Sequence, residues 1–175
     1  MKQNLIKAKG DIGETEMNEW LMQSGLSYIA ICQARESFSS LFNGCVKRPD
    51  FLVLLDAIGL ISVDAKNLEV TEWDGIPSFT LSMDHELIKA ITFERLFRLP
   101  LWYAYRLADE SGTRWHWISA MKAVEVGTRR TGCNGEFVSI ALKDFVVIKH
   151  ADDMSKLYVQ RMKSLSSVAK INPNT

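Results

Sequence analysis

The sequence predicts an α/β fold built on a mixed β-sheet. Short runs of almost continuous apolar residues are typical of strands that are covered on both faces. Longer stretches carry apolar residues at helical spacing. The elements follow the order α, β, β, β, α, β, β, with further elements behind them. With 175 residues, of which 47% are hydrophobic, the chain can bury one sizeable core. We therefore expect a central mixed sheet with helices on both faces.

The first part of the chain is predicted to run from a helix into three strands. Residues 10–25 carry large apolar side chains at helical spacing, and Gly25 suits the residue after a helix end. Residues 26–33 favour a short strand. The apolar runs 50–56 and 60–66 are separated by Ala-Ile-Gly, which predicts a β-hairpin of two central strands.

The second part is predicted to add one long helix, two more strands and several shorter elements. An exposed connection over 67–79 with a turn at Asp74-Gly75 comes first, followed by a helix over 83–100 and strands over 101–108 and 113–120. A short helix over 120–127 and a glycine-rich loop over 127–135 come next. One strand over 136–148 and an amphipathic helix from about 152 to 165 complete the order.

Composition excludes several classes of function. Lys and Arg balance Asp and Glu at 21 each, so any binding of a polyanion must come from a local patch. The three cysteines, Cys32, Cys45 and Cys133, form no disulfide framework and no CxxC zinc motif. No apolar run approaches the length of a membrane span, and we expect a cytoplasmic protein that does not bind membranes.

Two carboxylates and a lysine are predicted to meet at one end of the hairpin. Asp64 and Lys66 share a strand face, because side chains alternate along a strand. Pro49 suits the first position of a strand and places Asp50 close to level with Asp64 across an antiparallel ladder. Like charges this close require a cation, and hard oxygen ligands suit Mg²⁺ or Mn²⁺. The alternative is an ion pair that caps the strand ends.

The spacing of these residues resembles a known nuclease signature. Pro49-Asp50, thirteen residues and then Asp64-Ala65-Lys66 resemble the PD-(D/E)XK motif of the restriction-endonuclease-like nucleases. The segment KGDIGETEMNEWLMQSG resembles the first helix of the archaeal Holliday junction resolvases. The segments ITFERLFRLPLWYAYRL and RWHWISA resemble the helix and the two strands that close their core. The resemblance covers about residues 9 to 119 and implies a restriction-endonuclease-like core.

The resemblance also implies a role for each residue of the motif. Asp50 and Asp64 would bind a divalent metal ion, with the backbone carbonyl of Ala65 as a further ligand. Glu14 would reach the same ion from the first helix. Lys66 would position or activate the attacking water and offset charge on the phosphate. These roles belong to phosphodiester hydrolysis with Mg²⁺ or Mn²⁺ as the cofactor.

The assignment of Glu14 has an alternative. Glu16 lies on the same helix, at i+4 spacing with Trp20. A glutamate near the start of a helix can also do no more than complement the helix dipole. We favour Glu14 because it takes the position that the resemblance assigns to a glutamate.

Four basic residues are candidates for contact with nucleic acid. Lys47 and Arg48 come directly before Pro49 and are the best placed to meet a phosphate near the acidic residues. Arg129 and Arg130 fall in the predicted glycine-rich loop, where they can grip phosphate or simply be solvated.

The strand over 113–120 also permits two interpretations. Trp115 and Trp117 share one strand face, as a base-stacking surface or as part of the core. We favour the core, with His116 on the outside.

The function predicted from these features is that of a Mg²⁺-dependent endonuclease that hydrolyses phosphodiester bonds in DNA. Residues 1–150 would form the nuclease-like domain, and residues 151–175 a C-terminal helix and a frayed tail. The alternative is a non-catalytic nuclease-fold protein that serves as a DNA-binding or assembly subunit, and an RNA-cleaving relative is a third possibility. The intact set of two acids and a lysine favours the enzyme. The zero net charge favours a weak binder, or one that acts inside a larger complex.

The predicted C-terminal helix must bury an apolar stripe. Its members are Met154, Leu157, Tyr158, Met162 and Leu165. One expectation is a homodimer in which the segment after Gly135 contributes to the interface, since two active sites related by a twofold axis suit the cutting of two strands. The other is a monomer whose last helix covers its own strands.

Overall fold

The structure, a computed structural model, describes residues 2–34, 39–42, 44–56, 59–109 and 112–161. Its strands are β1 (Ser27–Ala30), β2 (Phe51–Leu55), β3 (Gly59–Lys66), β4 (Thr71–Trp73), β5 (Ile76–Ser82), β6 (Leu101–Asp109), β7 (Gly112–Ser119), β8 (Thr128–Gly132), β9 (Gly135–Ala141) and β10 (Val146–Ile148). Its α-helices are α1 (Lys2–Gln23), α2 (Ile88–Phe97), α3 (Ala120–Val126) and α4 (Lys156–Arg161). A π-helical turn over Met83–Leu87 precedes α2, and 3₁₀ turns span Ser40–Phe42, Leu142–Asp144 and Ala151–Ser155.

The central sheet is mixed, as the sequence predicts. Its six strands follow the order β1-β2-β3-β6-β7-β10, and β3 and β6 are parallel while the other neighbours are antiparallel. The predicted hairpin is confirmed, since β2 pairs with β3 and Phe51 lies opposite Val63. The expectation that both strands are covered on both faces holds for residues 61–65 of β3. It is wrong for the start of β3 and for β2, because Leu60 is 39% exposed and Leu54 is 48% exposed.

Helices cover both faces of this sheet, which confirms the predicted layers. One face packs on α1, which begins at Lys2 and so starts before the predicted helix, and on the C-terminal segment. Met17 and Leu21 of α1 are fully buried there. The other face packs on α2, α3 and a second sheet, with Leu87 and Phe93 among its buried residues. Within the described residues, no helix is both long enough and apolar enough to span a membrane.

The second sheet corrects three predictions. Its strands follow the order β4-β5-β9-β8. The predicted exposed connection over 67–79 contains β4 and enters β5, although the turn at Asp74-Gly75 is confirmed, with φ values of 53° and 74°. The predicted loop over 127–135 contains β8, which pairs with β9 despite having no apolar alternation. The predicted single strand over 136–148 is two strands, because the chain crosses from one sheet to the other at Leu142–Asp144.

Trp115 and Trp117 lie in the core, as favoured from the sequence, and are at most 1% exposed. The expectation that His116 is on the outside is wrong. Its ring faces Phe79 at 6.1 Å between centroids, and the residue is 7% exposed. The reason is that β5 of the second sheet covers this face of β7.

The C-terminal segment begins as a 3₁₀ turn and continues as α4. Met154 and Leu157 are buried in the same core as α1, whereas Tyr158 is 59% exposed. Met162 and Leu165 of the predicted stripe lie outside the described residues. The predicted domain boundary after residue 150 stays a prediction.

Candidate functional site

The hairpin of β2 and β3 places two carboxylates opposite each other. The Asp50 N–H donates to the carbonyl of Val63 at 2.9 Å, which extends the ladder by one residue and brings Asp50 level with Asp64. Asp50 Oδ2 accepts a hydrogen bond from the Ala65 N–H at 2.8 Å. Both aspartates line the same cavity and are at most 9% exposed. Because cross-strand partners share a face, the two carboxylates lie on the same side of the sheet.

Two lysines and two carboxylates form a closed ring of ion pairs beside Asp50. Lys47 Nζ lies 2.8 Å from Asp64 Oδ1 and 2.8 Å from Glu86 Oε2. Lys66 Nζ lies 2.7 Å from Asp64 Oδ2 and 2.9 Å from Glu86 Oε1. Each lysine is therefore shared between the same two carboxylates. The lysine side chains are 14% and 15% exposed, so water screens the ring poorly.

Glu86 was not among the residues predicted from the sequence. It lies on the π-helical turn before α2, where the side chain of Ser82 accepts a hydrogen bond from the His85 N–H and Leu87 is fully buried. These two anchors fix the turn against the second sheet and direct Glu86 to the lysines. The π-helical turn cannot be read from the sequence, which predicts one regular helix over 83–100.

The charges in this region shift the pKa of their neighbours in opposite directions. Burial raises the pKa of Asp50 well above its usual range, and the nearby carboxylates of Asp64 and Glu14 raise it further. Burial would also raise the pKa of Asp64, but the ammonium groups of Lys47 and Lys66 outweigh it and lower that pKa. Asp64 is thus held as a carboxylate, while Asp50 is the acid that protonates more readily.

The ammonium form of Lys66 is stabilised. Burial alone lowers the pKa of Lys66, but Asp64 and Glu86 overcome this and raise it well above its usual range. The ammonium group also lies 5.7 Å from the ring centroid of Tyr103, on the neighbouring strand β6. Lys66 is therefore a fixed positive charge and a hydrogen-bond donor in this arrangement.

The structure separates Glu14 from Glu16. Glu14 lines the cavity with the two aspartates, and its pKa is raised by burial first and then by Asp64. Glu16 forms an ion pair with Arg106 on β6 instead. Of the two glutamates considered, Glu14 is the one that faces the acidic residues.

The acidic residues lie in a cavity of about 860 Å³ that is open to solvent. Lys47 and Arg48 line it, as do Thr80 and Ser82 from the second sheet. Arg129 and Arg130 lie instead on β8. Arg129 pairs with Glu136 at 2.5 Å, and Arg130 pairs with Asp74 at 2.6 Å.

The donor set at the end of β3 fits a hard divalent cation. Among the described residues, no three His, Cys, Asp or Glu side chains lie close enough together to hold a metal ion. Two carboxylates nevertheless face each other, and both are buried. The interacting charges are four carboxylates and two ammonium groups, which leaves two negative charges in excess when all are ionised. Oxygen donors with this excess suit Mg²⁺ or Mn²⁺.

No family model and no curated protein matches the sequence. Among solved structures, the chain is similar to Hjc of Archaeoglobus fulgidus, a Holliday junction resolvase from an archaeal hyperthermophile. The two chains are 16% identical, and the alignment covers 89% of this chain and 98% of that chain with a TM-score of 0.49.

Proposed function

We propose that this protein is a metal-dependent endonuclease with a restriction-endonuclease-like core, and that it hydrolyses phosphodiester bonds in DNA. One observation carries the proposal. Asp50 and Asp64 lie level across a hairpin, and Lys66 stands on the same face of the same strand as Asp64. The sequence motif Pro49-Asp50 and Asp64-Ala65-Lys66, which resembles the PD-(D/E)XK signature, supports the same chemistry.

Asp50, Asp64 and the backbone carbonyl of Ala65 would hold the Mg²⁺ or Mn²⁺ ion, with Glu14 as a further ligand from α1. When bound, the ion lowers the pKa of a water molecule and neutralises charge on the phosphate. The Ala65 N–H donates to Oδ2 of Asp50, and Gln33 Nε2 donates to its Oδ1 at 3.4 Å, so both contacts orient this carboxylate. Burial of both aspartates keeps their carboxylates in a place where competing water is limited.

The lysines would act on the substrate rather than on the metal ion. As an ammonium group, Lys66 can donate to the attacking water or to a phosphate oxygen and offset the charge that grows there. Lys47 and Arg48 border the cavity and would contact the neighbouring phosphates. Arg129 and Arg130 are kept as a second candidate contact, although each is already paired with a carboxylate.

A non-catalytic DNA-binding or assembly subunit is the second candidate function. The ring of ion pairs favours it, because both oxygens of Asp64 lie within 2.8 Å of a lysine. The zero net charge agrees with a protein that acts inside a larger complex. The two candidates differ in whether Asp64 exchanges its lysines for a metal ion.

An assay of cleavage separates the two candidates. Plasmid, branched and single-stranded DNA, together with an RNA of matched sequence, would be incubated with the protein in Mg²⁺, in Mn²⁺ and in EDTA. We expect cleavage of DNA that EDTA and Asp64→Ala both abolish. Asp152→Ala, an exposed aspartate on a 3₁₀ turn, is the matched control and should cleave like the wild type. Cleavage that survives in Asp64→Ala would show that the site is misassigned.

We also propose a cytoplasmic homodimer in which the segment after Gly135 contributes to the interface. The exposed ring of Tyr158 on α4 supports a further contact there, since Met154 and Leu157 are already buried within the protein. Light scattering at micromolar concentration tests this. A monomeric mass would support the alternative, in which α4 covers its own sheet.

A further inference from the structure

Glu86 contacts the same two lysines as Asp64 does. Its Oε2 lies 2.8 Å from Lys47 Nζ, and its Oε1 lies 2.9 Å from Lys66 Nζ. Each oxygen therefore serves one lysine, and neither lysine depends on Asp64 alone. The buried Leu87 and the hydrogen bond from the His85 N–H to Ser82 Oγ hold the turn that carries Glu86 in place.

A metal ion on Asp64 would change the partners of both lysines. The oxygens of Asp64 that would bind the ion are the same oxygens that contact Lys47 and Lys66. Both lysine side chains are largely buried, and a buried ammonium group without a partner is strongly unfavourable. If Asp64 were their sole partner, the lysines would compete with the metal ion for its oxygens.

We propose that Glu86 is a positioning residue that retains Lys47 and Lys66 when a divalent cation takes the oxygens of Asp64. This inference rests on the proposed function, because it requires a metal ion at Asp64. Glu86 does not bind the ion. It lets the lysines leave Asp64 without losing a charged partner, and it keeps Lys66 beside the place where the phosphate is hydrolysed.

Binding of Mn²⁺ to the DNA-free protein, measured by calorimetry, tests the proposal without a cleavage assay. Glu86→Gln is expected to weaken Mn²⁺ binding about tenfold or more, because the lysines then compete with the ion for the oxygens of Asp64, and loss of an outer partner at a metal site commonly has an effect of this size. Asp84→Asn, which removes the same charge from the same turn at an exposed position, is the matched control and should bind within about twofold of the wild type. An affinity of Glu86→Gln equal to that of Asp84→Asn would overturn the proposal.

A double-mutant cycle separates this role from a long-range effect of charge. Lys47→Gln removes one of the competing ammonium groups. If Glu86 retains the lysines, Lys47→Gln strengthens Mn²⁺ binding more in the Glu86→Gln background than in the wild type. If Glu86 acts through its charge alone, Lys47→Gln has the same effect in both backgrounds, and the proposal fails.

Two further variants complete the test. Glu86→Asp keeps the carboxylate but shortens it, so that it cannot reach both lysines, and it should bind Mn²⁺ more weakly than the wild type. It replaces Glu86→Gln if that variant does not fold, and wild-type affinity would then overturn the proposal. Asp64→Asn tests the premise that a metal ion binds at Asp64. Failure of the wild type to bind Mn²⁺, or unchanged binding by Asp64→Asn, would refute the proposed function itself.

Discussion

The lysines of the cavity and the arginines of β8 are similar in chemistry and differ in setting. Lys47 and Lys66 lie 2.7–2.9 Å from carboxylate oxygens, and Arg129 and Arg130 lie 2.5 and 2.6 Å from theirs. The carboxylates that the lysines contact are at most 21% exposed, whereas those that the arginines contact are 45% and 75% exposed. Distance therefore does not distinguish the two groups of ion pairs, but burial of the carboxylate partner does.

Burial changes what an ion pair costs and what it can do. An exposed pair is screened by water and contributes about 0–1 kcal/mol to stability. Charges removed from water carry a large desolvation penalty, which replacement by apolar residues would avoid. The ring around Asp64 therefore stabilises the fold less than apolar residues in its place would, and its presence agrees with a functional role. The arginines of β8 require no such explanation.

The largest expected difference between the two groups is in cleavage. Lys66→Gln removes the buried ammonium group beside Asp64 and should lower kcat at least about a hundredfold, as loss of a preorganised donor to a reacting oxygen does elsewhere. Arg130→Gln should leave kcat within about threefold, because Arg130 contacts Asp74 and Ser139 rather than the cavity. Single-turnover cleavage of a labelled duplex measures both. Equal losses of kcat in the two variants would show that the lysines of the cavity and the arginines of β8 do not differ in their effect on cleavage.

Binding of DNA should show a smaller difference of the same kind. The logarithm of the binding constant falls as the logarithm of the salt concentration rises, and each phosphate contact that is lost makes this negative slope shallower by about one. Lys47→Ala with Arg48→Ala should therefore weaken binding and flatten this slope, since both residues line the cavity. Arg129→Ala with Arg130→Ala should change the slope little. Fluorescence anisotropy in EDTA over a series of salt concentrations gives the slopes. A larger change for the β8 pair would assign the DNA contact to the second sheet.

The sequence was sufficient to predict the aspartate pair because the relevant signals are local. Strand alternation fixes Asp64 and Lys66 on one face, and a short turn fixes the level of Asp50. Both arguments use residues less than 20 positions apart. Glu86 could not be found in this way, because its partners are set by the packing of a helical turn against a sheet. Nothing local distinguishes Glu86 from the exposed Asp84 two residues before it.

The second sheet was missed for a related reason. Strand β8, Thr128–Gly132, carries no alternation of apolar and polar residues, and its pairing with β9 gives it its conformation. Alternation along the strand correctly places His116 on the opposite face of β7 from Trp115 and Trp117. It does not show that β5 covers the face that carries His116. A sequence pattern reports which residues share a face. It does not report which other element of the chain lies on that face.

The stability of the interface between the two sheets should depend on pH through His116. Burial, and then the charge of Arg114, lower the pKa of His116 below its usual value of 6.5. The unfolded chain therefore binds this proton more readily, and its uptake favours unfolding. The contribution of neutral His116 is complete above about pH 6.5 and is lost as the pH falls towards the lowered value. Urea unfolding at pH 7.5 and 5.0 should show a larger loss for the wild type than for His116→Gln. An equal loss would exclude His116 as the cause.

The smallest expected effect, and the most direct test of the contrast, is the coupling within individual ion pairs. A double-mutant cycle on Arg130 and Asp74 should give about 0.2–1 kcal/mol, since Asp74 is 75% exposed. In 1 M salt, where charges are screened over about 3 Å, this coupling should fall towards zero. A cycle on Lys47 and Glu86 should give a larger coupling that salt changes less, because both side chains are at most 21% exposed. Each cycle uses the free energy of unfolding in urea. If the two couplings are equal and salt weakens them alike, burial does not separate the two groups, and the ring around Asp64 requires no functional explanation.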